Sequence, residues 1–358
     1  MKEKIVFIRS TAIGNIMDGS PKVGGVGVQL YFWAKMFSSA GWRVYSMSDK
    51  PAYEKEGIIF LKYKNWGALD IVHEWLHTFW VYLRYHPNLV IERGAGRSLY
   101  PVARLATFFH IKVILFGASD VNFEPGKELI SGGDHNRRLF QKAIPAVGFF
   151  VVQNQHQQYT LKQNYSRESM IMPNIWRKIE TMSNASDTDV VWVANLRALK
   201  RPEWILSAAK ELPYHSFTMI GGPDTKEISY YRGVENEARA INNVSFLGSR
   251  PFIETCGIIS KAKVLVCTST FEGFPNTFLQ AWSYGIPVVS TVDPSGIIAT
   301  NKLGCVISSE EELSKKLKLI LEDKVLYEQL CVNVKEFFAA NYSTDNALKK
   351  LLDYCKIV

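Results

Sequence analysis

Two stretches of the chain repeat the same order of apolar and polar segments. In the first, the apolar strand KIVFIRS is followed by a glycine-rich loop (KVGGVGV), a helix from about Val28 to Ala40 and a second strand (WRVYSMS). In the second, the strand VVWVANL, the basic loop RALKRPE, the helix WILSAAKEL and the strand SFTMIGG follow in the same order. Continuous apolar strands that alternate with helices are typical of parallel sheets covered by helices on both faces. The sequence therefore predicts an α/β protein with two Rossmann-like, doubly wound domains.

Further apolar runs extend both halves and set the predicted domain boundaries. The additional strands are NLVIERG, IKVILFGAS and AVGFFVVQN in the first half and NVSFLGS, KVLVCTS and IPVVSTV in the second. We expect a first domain over residues 1–172, a polar connection over 173–189, a second domain over 190–340 and a final helix over 341–358. Ligands of such sheets bind beyond the carboxyl ends of the strands, so we expect the two domains to face each other across a cleft.

The composition agrees with a globular protein of this kind. The chain has 358 residues, of which 47% are hydrophobic and 21% charged, so two domains with large cores can form. The five cysteines are scattered, which indicates reduced thiols and a cytoplasmic protein. The apolar run at the N-terminus, Ile5 to Ile8, is too short for a signal peptide, and no apolar run is long enough to span a bilayer.

The net charge of +8 arises entirely in the first half of the chain. Residues 1–170 hold 21 Lys and Arg against 13 Asp and Glu, whereas the remaining residues hold equal numbers of both. A basic first half indicates an anionic partner such as a membrane surface or a phosphate-bearing acceptor, although charge that only aids solubility would look the same. Five aromatic residues near one predicted helix suit either a core or a bilayer interface: Trp66, Trp75, Trp80, Tyr82 and Tyr85. Together with the basic charge they predict weak peripheral contact with an anionic membrane at its inner face. We expect no nucleic-acid partner.

The segment STFEGFPNTFLQAWSYGIPVVS, residues 269–290, carries the candidate chemistry of the second half. It reads as a strand end, a tight loop, a helix from about Asn276 to Tyr284, a glycine stop at Gly285 and a new strand. Glu272 falls in the loop before the helix, a position that suits contact with a ligand. The helix N-terminus attracts an anion, because its free N–H groups and dipole are positive.

Two other loops of the same half add to this predicted pocket. Lys200 and Arg197 follow the first strand and suit a diphosphate, while Gly221 and Gly222 close the next strand with little bulk. Together these loops predict a pocket for a nucleoside diphosphate. Each of these features also has an ordinary structural explanation. Gly273 and Pro275 could form a plain turn, Lys200 and Arg201 could be the solvated start of a helix, and Glu272 could interact with the helix dipole.

A competing motif, HEWLH, lies in a predicted helix of the first half. On a helix His73 and His77 share one face, as a zinc metalloprotease requires, with Glu74 as base and Glu92 as a conceivable third ligand. This helix lies between candidate strands of the first domain, and a protease would leave the loops of the second half unexplained. An ordinary amphipathic helix is therefore the favoured interpretation.

The segment FEGFPNTFLQAWSYGIPVVS resembles the signature of retaining GT-B glycosyltransferases of family four. The segments GGVGVQL, IMPN, LRALKRP, IGGPD and VSFLGS are similar to the family in the same order. The resemblance covers nearly the whole chain and is strongest from about Val190 to Thr291. It implies a sugar-nucleotide donor in the second domain, an acceptor in the first, transfer with retention of anomeric configuration, and a last helix that crosses back onto the first domain. It implies no metal and no cofactor beyond the nucleoside diphosphate sugar as co-substrate.

The resemblance also implies roles for single residues. Glu272 would lie beside the donor sugar and support its developing positive charge, and Lys200 would neutralise the diphosphate. Gly24 and Gly25 would form a loop that closes over the phosphates. Residues 274–277 (Phe274, Pro275, Asn276 and Thr277) would line the sugar and phosphate sites, and Gly248 to Arg250 would border the base. The other implied donor-binding residues are Arg197, Gly221, Gly273 and Gln280.

Three positions depart from the family pattern. The second acid of the signature, which usually holds the ribose, is Gln280 here, and an amide can still exchange hydrogen bonds with ribose. Many members place the loop arginine further ahead of the lysine than Arg197 stands from Lys200. Many also carry a histidine where this chain has Ser119 and Asp120, so Asp120 either takes a related catalytic role or is a cap or turn residue.

The sequence thus predicts a retaining hexosyltransferase that moves a sugar from a nucleoside diphosphate sugar to a glycan or lipid-linked acceptor in cell-surface polysaccharide synthesis. Two alternatives stay open. A sugar-nucleotide epimerase of the same fold would convert the donor without an acceptor. A non-catalytic subunit would bind the nucleotide and never turn over, which Gln280 and the missing histidine make conceivable.

Overall fold

The structure is a computed structural model that describes residues 3–357 except 22–23, 65–66, 68–69, 129, 131–132, 181–186, 225–226, 271, 273 and 343–345. The chain divides into two compact units. The first contains the described residues of 1–18, 24–175 and 344–358, and the second those of 19–23 and 176–343. The end of the chain therefore belongs to the same unit as its beginning.

Strands and helices alternate along most of the described chain. The strands are β1 (Ile5–Ile8), β2 (Arg43–Ser48), β3 (Tyr53–Lys55), β4 (Ile58–Lys62), β5 (Leu89–Arg93), β6 (Lys112–Phe116), β7 (Phe149–Val152), β8 (Met170–Ile171), β9 (Thr188–Val193), β10 (Phe217–Ile220), β11 (Val244–Gly248), β12 (Ala262–Cys267), β13 (Val288–Ser290) and β14 (Gly304–Val306). The α-helices are α1 (Ala12–Met17), α2 (Gly25–Ser39), α3 (Asp70–Tyr85), α4 (Leu99–Phe109), α5 (Gly133–Ala143), α6 (Gln155–Tyr165), α7 (Pro202–Glu211), α8 (Ile228–Arg239), α9 (Phe252–Ile259), α10 (Asn276–Ser283), α11 (Ile297–Asn301), α12 (Glu310–Glu322), α13 (Lys324–Asn341) and α14 (Ala347–Tyr354).

Each unit is built on one largely parallel sheet. Among the described residues, the first unit has the strand order β3-β4-β2-β1-β5-β6-β7-β8 and the second the order β11-β10-β9-β12-β13-β14. Neighbouring strands are parallel except for β3 and β4, which are antiparallel. In the first sheet Phe7 of β1 lies between Tyr45 of β2 and Val90 of β5. The predicted α/β class with two doubly wound domains is confirmed.

The two units have separate hydrophobic cores. In the first, Phe7, Val90 and Leu115 of the sheet are fully buried together with side chains of α4. In the second, Trp192 and Met219 are buried under α7 and α12. These strands are apolar on both faces because helices cover both sides of each sheet, as the continuous apolar runs predict.

Several short elements are absent from the sequence-based prediction. They are the six-residue helix α1, the antiparallel pair β3 and β4, the two-residue strand β8 and the three-residue strand β14. Strands as short as β8 and β14 contain too few residues for an alternating or continuous apolar pattern to stand out.

The last helix, α14, packs against the first unit. Leu351 and Cys355 are fully buried, and the ring of Tyr354 lies 5.6 Å from that of Phe149 on β7. The Lys112 Nζ donates hydrogen bonds to the backbone oxygens of Cys355 at 2.9 Å and Lys356 at 2.7 Å. The sequence offers Ser343 or Thr344 as the N-cap of this helix, and both residues lie outside the described part of the chain.

The helix that contains HEWLH, α3, holds a buried ion network. The Glu74 carboxylate forms an ion pair with Arg9 and accepts a hydrogen bond of 2.8 Å from the Tyr63 hydroxyl. Glu92 Oε1 also lies 2.7 Å from Arg9 Nε. Burial lowers the pKa of His77 to about 3, so this imidazole is neutral near pH 7. The two carboxylates that the metalloprotease interpretation needs are thus engaged by Arg9, and the described residues contain no group of three His, Cys, Asp or Glu that could hold a metal ion.

No α-helix within the described residues combines the length and the apolar character needed to cross a bilayer.

Candidate active site

Two loops at the carboxyl ends of neighbouring strands bring the predicted charges of the second unit together. β9 and β12 pair side by side, and their following loops carry Lys200 and Glu272. The Lys200 Nζ forms an ion pair with Glu272 Oε1 across 72 positions of sequence. The two side chains are 17% and 24% exposed, so the pair is partly shielded from water yet open to a ligand. The sequence had placed both residues at this edge, and the structure adds their direct contact.

The Glu272 carboxylate has a second support within its own loop. The Ser269 Oγ donates a hydrogen bond of 2.8 Å to the same Oε1 atom that contacts Lys200. Ser269 itself is buried, at 2% exposure. A hydroxyl donor and an ammonium group on one oxygen fix the orientation of the carboxylate.

The loop after β9 is tied to the loop after β12 by backbone contacts. Thr268 Oγ1 donates to the Lys200 carbonyl, and the Thr270 N–H donates to the Leu199 carbonyl at 2.9 Å. The Trp192 Nε1 in turn donates to Thr268 Oγ1 at 3.0 Å. Lys200 therefore sits on a braced turn, the 3-10 helix Ala198–Lys200.

Arg201 strengthens the same connection. Its guanidinium donates from Nε to the Thr268 carbonyl at 2.7 Å and from Nη2 to the Ser269 carbonyl at 3.2 Å, and it lies 4.1 Å from the centroid of the Trp204 ring. Arg201 adopts a left-handed backbone conformation, with φ of 46°. The alternative of a solvated helix start is wrong for this residue, because its guanidinium is bonded to the neighbouring loop.

The glycines after β10 allow close packing of backbone at this edge. A β-carbon on Gly221 would lie 1.8 Å from the Ala194 carbonyl oxygen, and one on Gly222 would lie 1.9 Å from Ser249 Oγ. Gly221 therefore requires glycine, because the atom it would meet belongs to the backbone, whereas at Gly222 the Ser249 hydroxyl would have to rotate away. The predicted lack of bulk at Gly221 thus has a structural basis, whether or not a ligand is bound.

Arg197 is engaged by an acid of the same unit. Its Nε lies 2.7 Å from Asp224 Oδ2. A diphosphate would have to compete with this carboxylate for the guanidinium, as it would with Glu272 for the Lys200 ammonium group. The role of Arg197 in phosphate binding stays a prediction.

Helix α10 begins directly after the Glu272 loop. Pro275 occupies the N-cap position with φ of −65°, and Asn276 and Thr277 form the half-buried first turn. The ring of Phe274 packs against those of Trp282 and Phe278, and its contact with a donor sugar stays a prediction. Gly273 lies outside the described residues.

Gln280, on the same helix, is more enclosed than its predicted role suggests. It is 5% exposed, and its Nε2 lies 3.4 Å from the Cys256 sulfur. Burial raises the pKa of the Cys256 thiol to about 12, so the thiol stays protonated. The amide nitrogen is thus engaged inside the protein, and ribose binding by Gln280 stays a prediction.

The predicted border of the base lies at the end of β11. Gly248 has φ of +67°, a conformation that favours glycine. Arg250 Nε lies 3.2 Å from Glu254 Oε1 in the first turn of α9. Their contact with a base stays a prediction.

Three predicted residues lie in the first unit. Gly24 and Gly25 begin α2, as N-cap and first residue. The Asp120 Oδ1 accepts hydrogen bonds from Asn154 at 2.8 Å and Gln157 at 3.0 Å. Asp120 thereby joins the end of β6 to the start of α6, and its catalytic role stays a prediction.

The chain is similar to known proteins in sequence and in fold. A family model for glycosyl transferases group 1 matches residues 187–323. The chain is 22% identical over 333 residues to the GtfA subunit of a UDP-N-acetylglucosamine–peptide N-acetylglucosaminyltransferase from Streptococcus pneumoniae, which is 87% of this chain and 61% of the relative. It is 26% identical over 206 residues to the Vi polysaccharide biosynthesis protein VipC/TviE of Salmonella typhi, covering 56% of this chain and 34% of that protein. The chain thus spans about three fifths of the length of the first relative and one third of the second.

Solved structures match the whole chain. Sucrose-phosphate synthase from Thermosynechococcus elongatus superposes with a TM-score of 0.75 at 16% identity and covers 99% of both chains. Anabaena Alr3699/HepE, solved with UDP and glucose, has a TM-score of 0.75 at 14% identity over 99% of this chain and 100% of its own. Residues 187–323 therefore match the glycosyl transferases group 1 model, and the chain as a whole has the GT-B fold.

Proposed function

We propose that the protein is a retaining, metal-independent glycosyltransferase that moves a sugar from a nucleoside diphosphate sugar to a glycan or lipid-linked acceptor in cell-surface polysaccharide synthesis. The observation that carries this proposal is the Lys200–Glu272 pair at the carboxyl ends of β9 and β12, within the residues that match the group 1 model. The printed names of relatives and neighbours support a UDP-sugar as the first donor to test and polysaccharide synthesis as the setting.

The two charges suit the two poles of the reaction. The bond between the anomeric carbon and the diphosphate oxygen breaks, and its electron pair leaves with the diphosphate. Lys200 stabilises that negative charge, and Glu272 stabilises the positive charge that develops on the sugar ring. The acceptor oxygen then bonds the anomeric carbon, and its proton passes to the diphosphate or to water. In the free protein the two side chains neutralise each other, so a bound diphosphate would take over the ammonium group and leave the carboxylate facing the sugar.

Donor binding tests the first part of this proposal. We expect UDP or another nucleoside diphosphate to raise the melting temperature of the wild type and to bind Lys200→Met at least about tenfold more weakly, because a charge-assisted contact is lost. Lys210→Met is the matched control, since Lys210 lies on the exposed side of α7 and is paired with Glu237. Failure of every nucleoside diphosphate sugar to bind would overturn the proposal.

The stereochemical outcome tests the second part. Methanol can serve as a simple acceptor, because methyl glycosides do not mutarotate. A retaining enzyme gives the methyl glycoside with the anomeric configuration of the donor, and the inverted product would contradict retention. A sugar-nucleotide epimerase would convert the donor without methanol. A non-catalytic subunit, the alternative that Gln280 in place of the second acid suggests, would bind the nucleotide and form neither product.

We also place this activity in the cytoplasm, at the inner face of a membrane. The basic excess of residues 1–170 and a lipid-linked acceptor support this location.

A further inference from the structure

Helix α3 presents an apolar surface to solvent. Five of its large apolar side chains are exposed by 43–64%, at the spacing of a single helix face: Val72, Leu76, Phe79, Trp80 and Leu83. Single exposed apolar residues are common on protein surfaces, whereas a continuous row of them marks an interaction site.

The opposite, buried side of α3 is polar in its first turns and apolar towards its end, where Val81 and Tyr82 are buried. Asp70, Glu74, His77 and Thr78 are all buried. Asp70 and Glu74 are paired with Arg97 and Arg9, respectively. A surface helix of a soluble protein usually shows the reverse arrangement, with its apolar side in the core. The ion network thus holds the first turns of α3 with their apolar side outward.

The surface continues onto α4. Phe108 is 73% exposed, and its ring lies 5.1 Å from that of Phe109. Phe109 in turn lies 5.6 Å from Phe79 and 5.9 Å from Tyr82 of α3. We call Val72, Leu76, Phe79, Trp80, Leu83 and Phe108 the α3–α4 apolar face.

The exposed charges on these two helices have one sign. The acids of α3 are the two buried ones, and the sequence of α4 contains no acid. The exposed charged side chains of α3 and α4 are Arg84 and Arg104. Apolar and aromatic side chains with arginines around them fit a surface of anionic phospholipid, in which acyl chains accept the apolar groups and headgroups attract the arginines.

We propose that the α3–α4 apolar face inserts into the surface of an anionic phospholipid bilayer. This proposal adds to the membrane location given under the proposed function, because it names the surface that makes the contact. It rests on that location and not on sugar transfer. It also corrects the aromatic residues predicted to make the contact. Tyr82 is fully buried, Trp75 packs against Tyr100 and Tyr85 against Tyr45, so of the four described residues Trp80 lies on this face. Trp66 lies outside the described residues.

Vesicle binding of the full chain tests the proposal. We expect the wild type to co-sediment with vesicles of phosphatidylcholine and phosphatidylglycerol and to bind vesicles of phosphatidylcholine alone at least about fivefold more weakly. The double variant Leu76→Asp, Leu83→Asp should bind the mixed vesicles at least about tenfold more weakly, since two apolar side chains no longer insert. Val325→Asp, at a 79% exposed valine of α13, should bind like the wild type.

Other outcomes overturn the proposal. It fails if the double variant keeps wild-type vesicle binding, if both vesicle types bind equally, or if neither binds. It also fails if the wild type forms a dimer that the double variant loses, since the face would then join two copies of the chain. Nucleotide binding measured in parallel separates the two proposals, because vesicle binding without nucleotide binding would refute the transferase and leave this inference standing.

Discussion

At the scale of single residues, the charge of Glu272 is the feature most directly open to test. Glu272→Gln keeps the shape of the side chain and its contacts with Lys200 and Ser269, but removes the negative charge opposite the developing cation. We expect turnover to fall by about a hundredfold or more, with nucleoside diphosphate affinity changed by less than about threefold. Steady-state kinetics and calorimetric titration will measure both quantities. Glu328→Gln, an exposed acid of α13, is the matched control, and turnover equal to wild type in Glu272→Gln would remove Glu272 from catalysis.

The residues of the site differ in how far the sequence predicts them. Lys200 and Glu272 could be placed because both follow apolar strands, and parallel strands end at one edge of a sheet. Ser269 and Trp192 were missed, since their hydrogen bonds depend on side-chain directions that no local pattern records. For Arg201 the sequence leaves a solvated helix start open as an alternative. Its contact with the Thr268 carbonyl depends on a left-handed backbone conformation that the sequence does not reveal.

At the scale of elements, the glycine after β10 sets how closely the strand ends approach. In Gly221→Ala the new methyl group would overlap the Ala194 carbonyl, so the backbone must shift. We expect a loss of about 1–3 kcal/mol in the free energy of unfolding, measured by urea denaturation. Gly233→Ala is the matched control, because Gly233 lies in α8 with nothing within 4 Å of the added carbon. That control should be stabilised by up to about 1 kcal/mol, and equal effects of the two substitutions would contradict the close approach.

The buried side of α3 makes a prediction about pH. The folded protein keeps His77 neutral down to a pKa of about 3, whereas the unfolded chain protonates it below its usual 6.5. The unfolded state therefore binds more protons between these values, and the stability due to neutral His77 is lost as the pH falls through this window. His77→Phe removes this dependence without loss of a hydrogen bond, because neither ring nitrogen has a hydrogen-bond partner among the described residues.

From pH 7 to pH 5.5 the wild type should lose about 1 kcal/mol more stability than His77→Phe, as measured by urea unfolding at both pH values. Burial raises the pKa of Glu92 to about 7, which has the opposite effect on stability in this range, but it acts in both proteins and cancels in the comparison. Parallel pH curves for the two proteins would mean that His77 is protonated in the folded state.

The length of a strand largely decides whether the sequence predicts it. Strands such as β1, β6 and β12 were predicted because their apolar runs are long enough to be distinguished from loops. The antiparallel strands β3 and β4 are not predicted, because this edge hairpin depends on the pairing of β4 with β2, which is a tertiary contact. The sequence predicts α3 as an ordinary amphipathic helix and does not predict that Glu74 is buried, because its partner Arg9 lies 65 positions away.

At the scale of the whole molecule, two separate cores mean that a change in one unit should leave the other unaffected. The chain end offers the sharpest test, because α14 is distant in sequence from the strands that it covers. Leu351 is fully buried, and α14 contacts β6 and β7 through Lys112 and Phe149. Leu351→Ala should therefore destabilise the first unit by about 2–4 kcal/mol.

Hydrogen exchange followed by mass spectrometry will locate the effect of that substitution. In Leu351→Ala we expect faster exchange in peptides of β6 and β7, and wild-type exchange in peptides of β9 and β12, because no side chain of the second core is altered. Leu319→Ala is the matched control, since Leu319 is 45% exposed on α12 and its loss leaves no cavity. Faster exchange in β9 and β12 would show that the two units open together. Unchanged exchange in β6 and β7 would show that α14 does not stabilise the strands that it contacts.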